Sequence, residues 1–345
     1  MTATPPDLAA FDEIIDVRSP SEYAEDHVPG AISLPVLDDA ERARVGTLHK
    51  QVSAFEAKKI GAALVSRNIA RHLESWFGDK PRSYRPLVYC WRGGNRSGSL
   101  AHILQKIGFA ATQLDGGYRA YRRHVVAELE RLPGLLDYRV VCGPTGSGKS
   151  RLLQALAAEG AQVLDLEALA AHRGSLLGAL PGQPQPTQKS FESVVWAALN
   201  HFDQAQRIFV ESESRKIGAL RLPGALIAAM HASPAIRLEV PLEARVQMLT
   251  EDYLHFLHDP ETIRHQLGFL ARVQGHEIVT AWQDLVEQEA WPQLVTALLE
   301  QHYDPAYRRS LARNYPPSPR DLVFQAADLS AAGLQRLARA ILAAA

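Results

Sequence analysis

The stretch VVCGPTGSGKS, residues 140–150, constrains the fold of this chain more than any other. It carries G-x4-G-K-S from Gly143 to Ser150, directly after an apolar run, and leads into SRLLQALAAEG, whose apolar spacing suits a helix. A strand that turns through glycines into a helix leaves several backbone N–H groups unsatisfied at the helix start, and anions satisfy them. Gly143, Thr145, Gly146, Ser147 and Gly148 are therefore expected to cradle a phosphate chain, with Lys149 on its oxygens and Ser150 placed to ligate Mg2+. The loop specifies a phosphate chain and leaves open whether ATP or GTP is the ligand.

A second strand-to-loop passage, VYCWRGGNRSGS at 88–99, has the same plan with a cysteine at the strand end. Gly93 and Gly94 let the backbone curl so that successive N–H groups point inward, Arg92 and Arg96 add charge, and a helix expected from about Ser97 adds its positive end. Such a field favours the thiolate form of a cysteine and suits Cys90 to act as a nucleophile. Cys142, the last apolar residue before the phosphate loop, reads as an ordinary buried cysteine.

Strand and helix signals alternate around both loops. EIIDVRS, ISLPV and PLVYC read as strands, residues 54–77 and GGYRAYRRHVVAELERL as helices, and YRVVC, AQVLDLE, RIFVESES and AIRLEVPL as further strands. This order predicts an α/β chain of parallel sheets flanked by helices. Pro133 and Gly134 mark a boundary, giving domains at 1–133 and 134–345. Residues 243–316 are helical in pattern and read as an insertion, after which DLVFQAADL returns to the sheet. Two cysteines in 345 residues, a net charge of -1, and the lack of a membrane-length apolar run or a leader pattern predict a cytoplasmic protein with no membrane partner. Any RNA must then meet a local basic patch.

Asp165 and Glu167, and Glu211 and Glu213, are expected at strand ends, where they would serve as acids or partners of Mg2+, or be merely solvated. HRGSLLG (172–178), QPTQKSFES (185–193) and ESESRKIG (211–218) read as polar loops. YRAYRRH holds Arg119, Arg122 and Arg123; YRRSLARNYPPSPR holds Arg308, Arg309, Arg313 and Arg320 beside Tyr303 and Tyr307. Arginine interleaved with aromatics suits a single-stranded RNA loop, and a solvated helix face would account for the same pattern.

The opening DVRSPSEYAEDHVPGAISLP, the Cys90 loop and LDGGYRAY resemble the rhodanese superfamily, although Arg96 lies six residues after the cysteine, one more than is usual there. With ERARVGTLHKQ, GPTGSGKS, DLEALAAHRGSLLG, QPTQKSFES, ESESRKIG and YDPAY in this order, the chain resembles the tRNA 2-selenouridine synthase family. Asn95 stands where that family usually has methionine. The resemblance implies a substrate tRNA for Lys, Glu or Gln bearing 2-thiouridine at the wobble position, alkylation of its sulfur by geranyl diphosphate at the phosphate loop, and displacement by selenium from selenophosphate. It further implies that Cys90 carries selenium as a selenosulfide with Arg92 and Arg96 balancing phosphate charge, and that selenophosphate synthetase is a partner. Two alternatives remain at this level: the C-x5-R spacing also suits a cysteine-dependent phosphatase or arsenate reductase fused to a P-loop kinase, and the pairing of loops suits an ATP-dependent tRNA sulfurtransferase.

Overall fold

The computed structural model describes residues 2–4, 8, 10–175, 178–180, 182–252 and 260–345. Leu176 and Leu177 of the HRGSLLG loop, Pro181, residues 253–259 of the expected insertion, and Met1, Pro5, Pro6, Asp7 and Ala9 lie outside the described residues. The chain forms two compact units, residues 1–128 with 187–197, and residues 129–186 with 198–345. None of the described helices is long and apolar enough to cross a membrane.

The first unit runs β1 (Thr2–Ala3), β2 (Glu13–Asp16), α1 (Pro20–Glu25), β3 (Ile32–Ser33), α2 (Asp39–Gln51), α3 (Ala54–His72), β4 (Pro86–Tyr89), α4 (Asn95–Ile107), β5 (Thr112–Leu114) and α5 (Gly117–Arg131). Its sheet has the order β1-β5-β4-β2-β3, and every neighbouring pair is parallel. β4 is buried along its whole length, as a central strand covered by helices must be. Ile69 of α3 and Leu100 and Leu104 of α4 pack with Ile15, Val17 and Val88 in one core. The loop after β4 therefore rises from a rigid floor.

The second unit begins with β6 (Asp137–Cys142) and α6 (Lys149–Ala158), then β7 (Gln162–Leu164), α7 (Leu166–Leu169), α8 (Gln188–His201), β8 (Arg207–Glu211), the hairpin β9 (Lys216–Ile217) and β10 (Leu220–Arg221), α9 (Gly224–Ala232) and β11 (Ala235–Glu239). Helices α10 (Leu242–Asp252), α11 (Pro260–Gly268), α12 (Ala271–Gln274), α13 (His276–Glu287), α14 (Trp291–Leu298) and α15 (Asp304–Asn314) follow, before β12 (Leu322–Gln325) and α16 (Ala331–Ala344). The sheet order is β12-β11-β6-β8-β7, all parallel, so DLVFQAADL does return to the sheet beside β11. The helical stretch has its own core around Trp282, with Leu267, Val279 and Leu294.

Three local expectations differ from the fold. β7 stops at Leu164 because the Asp165 carboxylate accepts the Ala168 N–H and starts α7, so Glu167 sits on a helix. β8 ends at Glu211, which leaves Glu213 in the following loop. QPTQKSFES is a loop only to Thr187, whose hydroxyl accepts the Ser190 N–H at the start of α8. By contact, residues 187–197 group with the first unit. There Glu192 pairs with Arg122, Lys189 with Glu25, and Trp196 packs edge-on against Tyr121.

Candidate active sites: the cysteine loop and the phosphate loop

β4 delivers Cys90 to the carboxyl end of the first sheet, where the side chain is only 2% exposed. Its sulfur lies 3.4 Å from the Ser97 hydroxyl, which donates to it, and 3.7 Å from the Arg92 carbonyl. The sulfur thus faces the loop while the residue closes the top of the core. Gly93 and Gly94 both take left-handed φ values, +69° and +73°, and Gly94 caps α4 without a side chain. Among the described residues, the N–H groups from Trp91 to Gly94 donate to no backbone carbonyl in the turns and loops.

The far wall of this loop is the start of α5. Tyr118 N–H donates to the Cys90 carbonyl at 2.8 Å and Arg119 N–H to the Trp91 carbonyl at 3.1 Å. A Cβ on Gly117 would stand 2.4 Å from the Cys90 carbonyl oxygen, so the second glycine of LDGGYRAY is required by that approach. Below it, the Tyr118 ring stacks on Trp91 and lies 4.0 Å from the buried Arg18 guanidinium, and its hydroxyl donates to Asp26 at 2.7 Å. Arg18 in turn is clamped by Asp16. DVRS is therefore the frame on which the cysteine loop rests.

Arg92 is exposed in the loop, whereas Arg96 is engaged: its guanidinium donates twice to Glu22, at 2.8 and 3.3 Å. Glu22 also accepts the Ser19 N–H and pairs with Arg42. Burial works to raise its pKa, but the hydrogen bonds and charge of Arg96, with Ser19 and Arg42, bring it down to about 2. A carboxyl whose pKa falls on folding stabilises the fold above its ordinary value of 4.5, and that contribution disappears as pH falls toward 2. Thermal melting across this range should show an acid-side loss that Glu22→Gln largely removes, and at neutral pH the variant should be less stable by about 2–3 kcal/mol.

In the second unit, Gly143 to Ser150 join β6 to α6 as the motif requires, and Gly148 caps the helix at φ +76°. The Lys149 ammonium donates to the Gly143 carbonyl at 2.9 Å, and the Ser150 hydroxyl donates to Glu167 at 2.7 Å. Loop residues from Thr145 to Ser150 line a cavity of about 670 Å3. Its acidic side is Asp165, Glu167 and Glu213; its apolar side is Met248 and Leu249 of α10 with Leu311 of α15; His172, Arg173 and Gly174 form a third edge. His172, whose pKa burial lowers, accepts the Gly174 N–H at Nδ1.

Burial raises all four carboxyls in this region. For the wholly buried Glu211 the neighbouring Asp165, Glu213 and Glu167 add to the rise; it accepts the Glu167 N–H, and its second oxygen has no partner. Glu213 is pushed up to about 8, first by burial and then by Glu167. Among the described residues no group of three or more His, Cys, Asp or Glu is arranged to hold a metal by itself.

The family model described as "tRNA 2-selenouridine synthase AAA domain" matches residues 136–268, and the rhodanese-like domain model matches 5–124. A tRNA 2-selenouridine synthase of Chromohalobacter salexigens is 34% identical over 340 residues, covering 90% of this chain and 91% of its own. This chain belongs to the tRNA 2-selenouridine synthase family. Its relative in Alcanivorax borkumensis is 33% identical, with 87% of this chain and 90% of that one covered. The relative in Nitrosomonas europaea is 37% identical over 245 residues, 70% of this chain and 63% of that one. The chain is an enzyme of this family, and its two matched domains hold the two loops separately.

The arginine clusters divide. Arg119 and Arg123 are exposed on α5, but Arg122 is tied to Glu192 and the Lys189 carbonyl. Arg308, Arg309 and Arg313 are exposed on α15. Tyr303 and Tyr307, expected beside those arginines as base-stacking residues, line the phosphate-loop cavity. Met248, Leu249, Tyr315 and Glu22 escape a reading of sequence: each lies far along the chain from the loop it serves, inside an ordinary helical or capping pattern.

Proposed function

We propose that the enzyme converts wobble 2-thiouridine in Lys, Glu and Gln tRNAs to 2-selenouridine through an S-geranyl intermediate, with geranyl diphosphate and selenophosphate as co-substrates. The observation that carries the first step is the single cavity in which a phosphate loop faces an apolar wall of Met248, Leu249 and Leu311. A diphosphate with an allylic chain matches both sides, its charge on the loop and its chain on the apolar wall. The thione sulfur forms a bond to C1 of the geranyl chain, the C1–O bond breaks, diphosphate departs with the electron pair, and N3 of the base loses its proton. Lys149 and the loop amides stabilise the charge on the departing oxygens.

Glu213 is the carboxylate that fits the role of base for the N3 proton, because Glu211 is buried and outside the cavity lining, Asp165 caps α7, and Glu167 is engaged by Ser150. Mg2+ in such sites is held by one or two carboxylates together with substrate phosphates, so Ser150 and Glu167 would hold it, where it would neutralise leaving oxygens. As a base, Glu213 works only when ionised; geranyl transfer should climb with pH through about 8, and Glu213→Gln should be slow with that limb flattened. A pH–rate profile unchanged in this variant would assign the proton to another group.

The selenium step belongs to Cys90. Selenium in selenophosphate is at the oxidation level of selenide, so a selenosulfide on Cys90 would require loss of two electrons for which the site offers no acceptor. The balanced step uses the C-x5-R loop: the Cys90 sulfur attacks phosphorus, the P–Se bond breaks, and hydrogen selenide leaves with the electron pair. It adds to C2 of the base, the C2–S bond breaks, and geranylthiol departs after taking a proton. Water then cleaves the S–P bond, returning phosphate and the thiol. The Ser97 hydroxyl on the Cys90 sulfur and the loop amides that donate to no backbone carbonyl support this reading. Exposed Arg119, Arg123, Arg308, Arg309 and Arg313 are the proposed tRNA contacts. Selenophosphate synthetase is the proposed supplier of the donor. Nucleoside mass spectrometry of tRNA incubated with both co-substrates tests the pathway, and 2-thiouridine left unchanged would refute it.

A further inference from the structure

Four hydroxyls on the wall of the phosphate-loop cavity have no hydrogen-bond partner despite being buried: Ser147, Ser212, Tyr307 and Tyr315. A buried polar atom without a partner costs about 1–3 kcal/mol, so four around one cavity point to a ligand rich in acceptors. Ser147 belongs to the phosphate loop itself, and Ser212 follows β8. The tyrosines come from elsewhere: Tyr307 from the middle of α15, and Tyr315 from the residue that ends it.

Tyr315 is only 6% exposed; its carbonyl accepts Arg237, and its ring meets His231 edge-on. The Tyr307 hydroxyl lies close enough to Ser212 and the Gly143 backbone for both to act on it as hydrogen-bonding neighbours, but it lacks the geometry of a completed hydrogen bond to either. The Tyr315 ring is thus held by packing, and neither hydroxyl completes a hydrogen bond. Burial raises both phenols above their ordinary value, so they remain protonated donors throughout the neutral range.

We infer that Tyr307 and Tyr315 are catalytic residues that donate their phenolic hydrogens to the diphosphate of the prenyl donor. The inference rests on the reading of this cavity as the diphosphate site. The phosphate loop surrounds one side of that group with amides and one ammonium. The helical insertion adds neutral donors to the same cavity, where a further cation would repel Lys149. Transfer is assisted because charge on the diphosphate grows as the C1–O bond lengthens, and preplaced donors gain strength with it.

The test uses the full-length protein and inorganic diphosphate as probe, with Tyr307→Phe and Tyr315→Phe made separately. Each removes one oxygen and leaves the ring packing. Calorimetric binding of diphosphate should weaken about ten- to a hundredfold in each variant, as expected for loss of a hydrogen bond to a charged group. Geranyl transfer should fall by at least the same factor. Without ligand, each variant should melt at the wild-type temperature or slightly above it, because an unpaired hydroxyl has been removed; a merely structural tyrosine would show the reverse pattern. Diphosphate binding at wild-type strength in both variants overturns the inference alone. A wild-type protein that fails to bind diphosphate overturns it together with the reading of the cavity.

Discussion

Lys149→Ala should lower geranyl transfer to tRNA by about a thousandfold, leaving 2-thiouridine as the accumulated nucleoside. The ammonium sits 2.9 Å from the Gly143 carbonyl at the base of the loop, with Ser150 and Glu167 beside it. When a diphosphate leaves an allylic carbon, its growing charge must be met at once, and in a cavity with an apolar wall water does so poorly. Fold stability should change little, because the half-buried lysine makes one hydrogen bond, to the Gly143 carbonyl, and belongs to none of the hydrophobic clusters. Liquid chromatography of digested tRNA with mass detection measures the effect. Geranylated product at an undiminished rate would place the diphosphate elsewhere.

Cys90→Ala should do the opposite. S-Geranyl-2-thiouridine should form normally and then accumulate, with selenation lowered at least a hundredfold. The cysteine stands on a separate sheet, in a separate compact unit, and the hydrogen bonds of its sulfur are to Ser97 and the Arg92 carbonyl. The sulfur is almost wholly buried, so alanine leaves a small cavity; thermal melting separates that cost from lost chemistry, and Cys90→Ser, which keeps the volume, should fail in selenation equally. A protein intermediate carrying one phosphate on Cys90 after acid quenching would support attack on phosphorus.

The two loops are legible in sequence because their chemistry is local: a strand end, glycines and a helix start within a dozen residues fix where backbone amides point. The parallel order of both sheets follows from the same alternation of strand and helix signals. The walls around the loops are a different matter. Met248, Leu249 and Tyr315 look like core or capping residues of helices, and only the fold brings Leu249 against Gly146, Met248 against Gly148 and Tyr315 into the same cavity. Arg96 illustrates the same limit. Its spacing from Cys90 suggests a free anion ligand, but Glu22, buried 74 residues earlier, already holds it. α8 was hidden because its first turn, QKSF, follows a run of prolines and reads as loop, and its pairing with α5 depends on Arg122 and Glu192 meeting across 70 residues.

Complementation separates the two sites most directly. Purified S-geranyl-2-thiouridine tRNA is supplied with selenophosphate to Lys149→Ala and to Cys90→Ala, and 2-selenouridine is quantified by mass. Division of labour between the loops predicts near wild-type selenation by Lys149→Ala and almost none by Cys90→Ala. Equal failure of both variants, or conversion by Cys90→Ala, would contradict it.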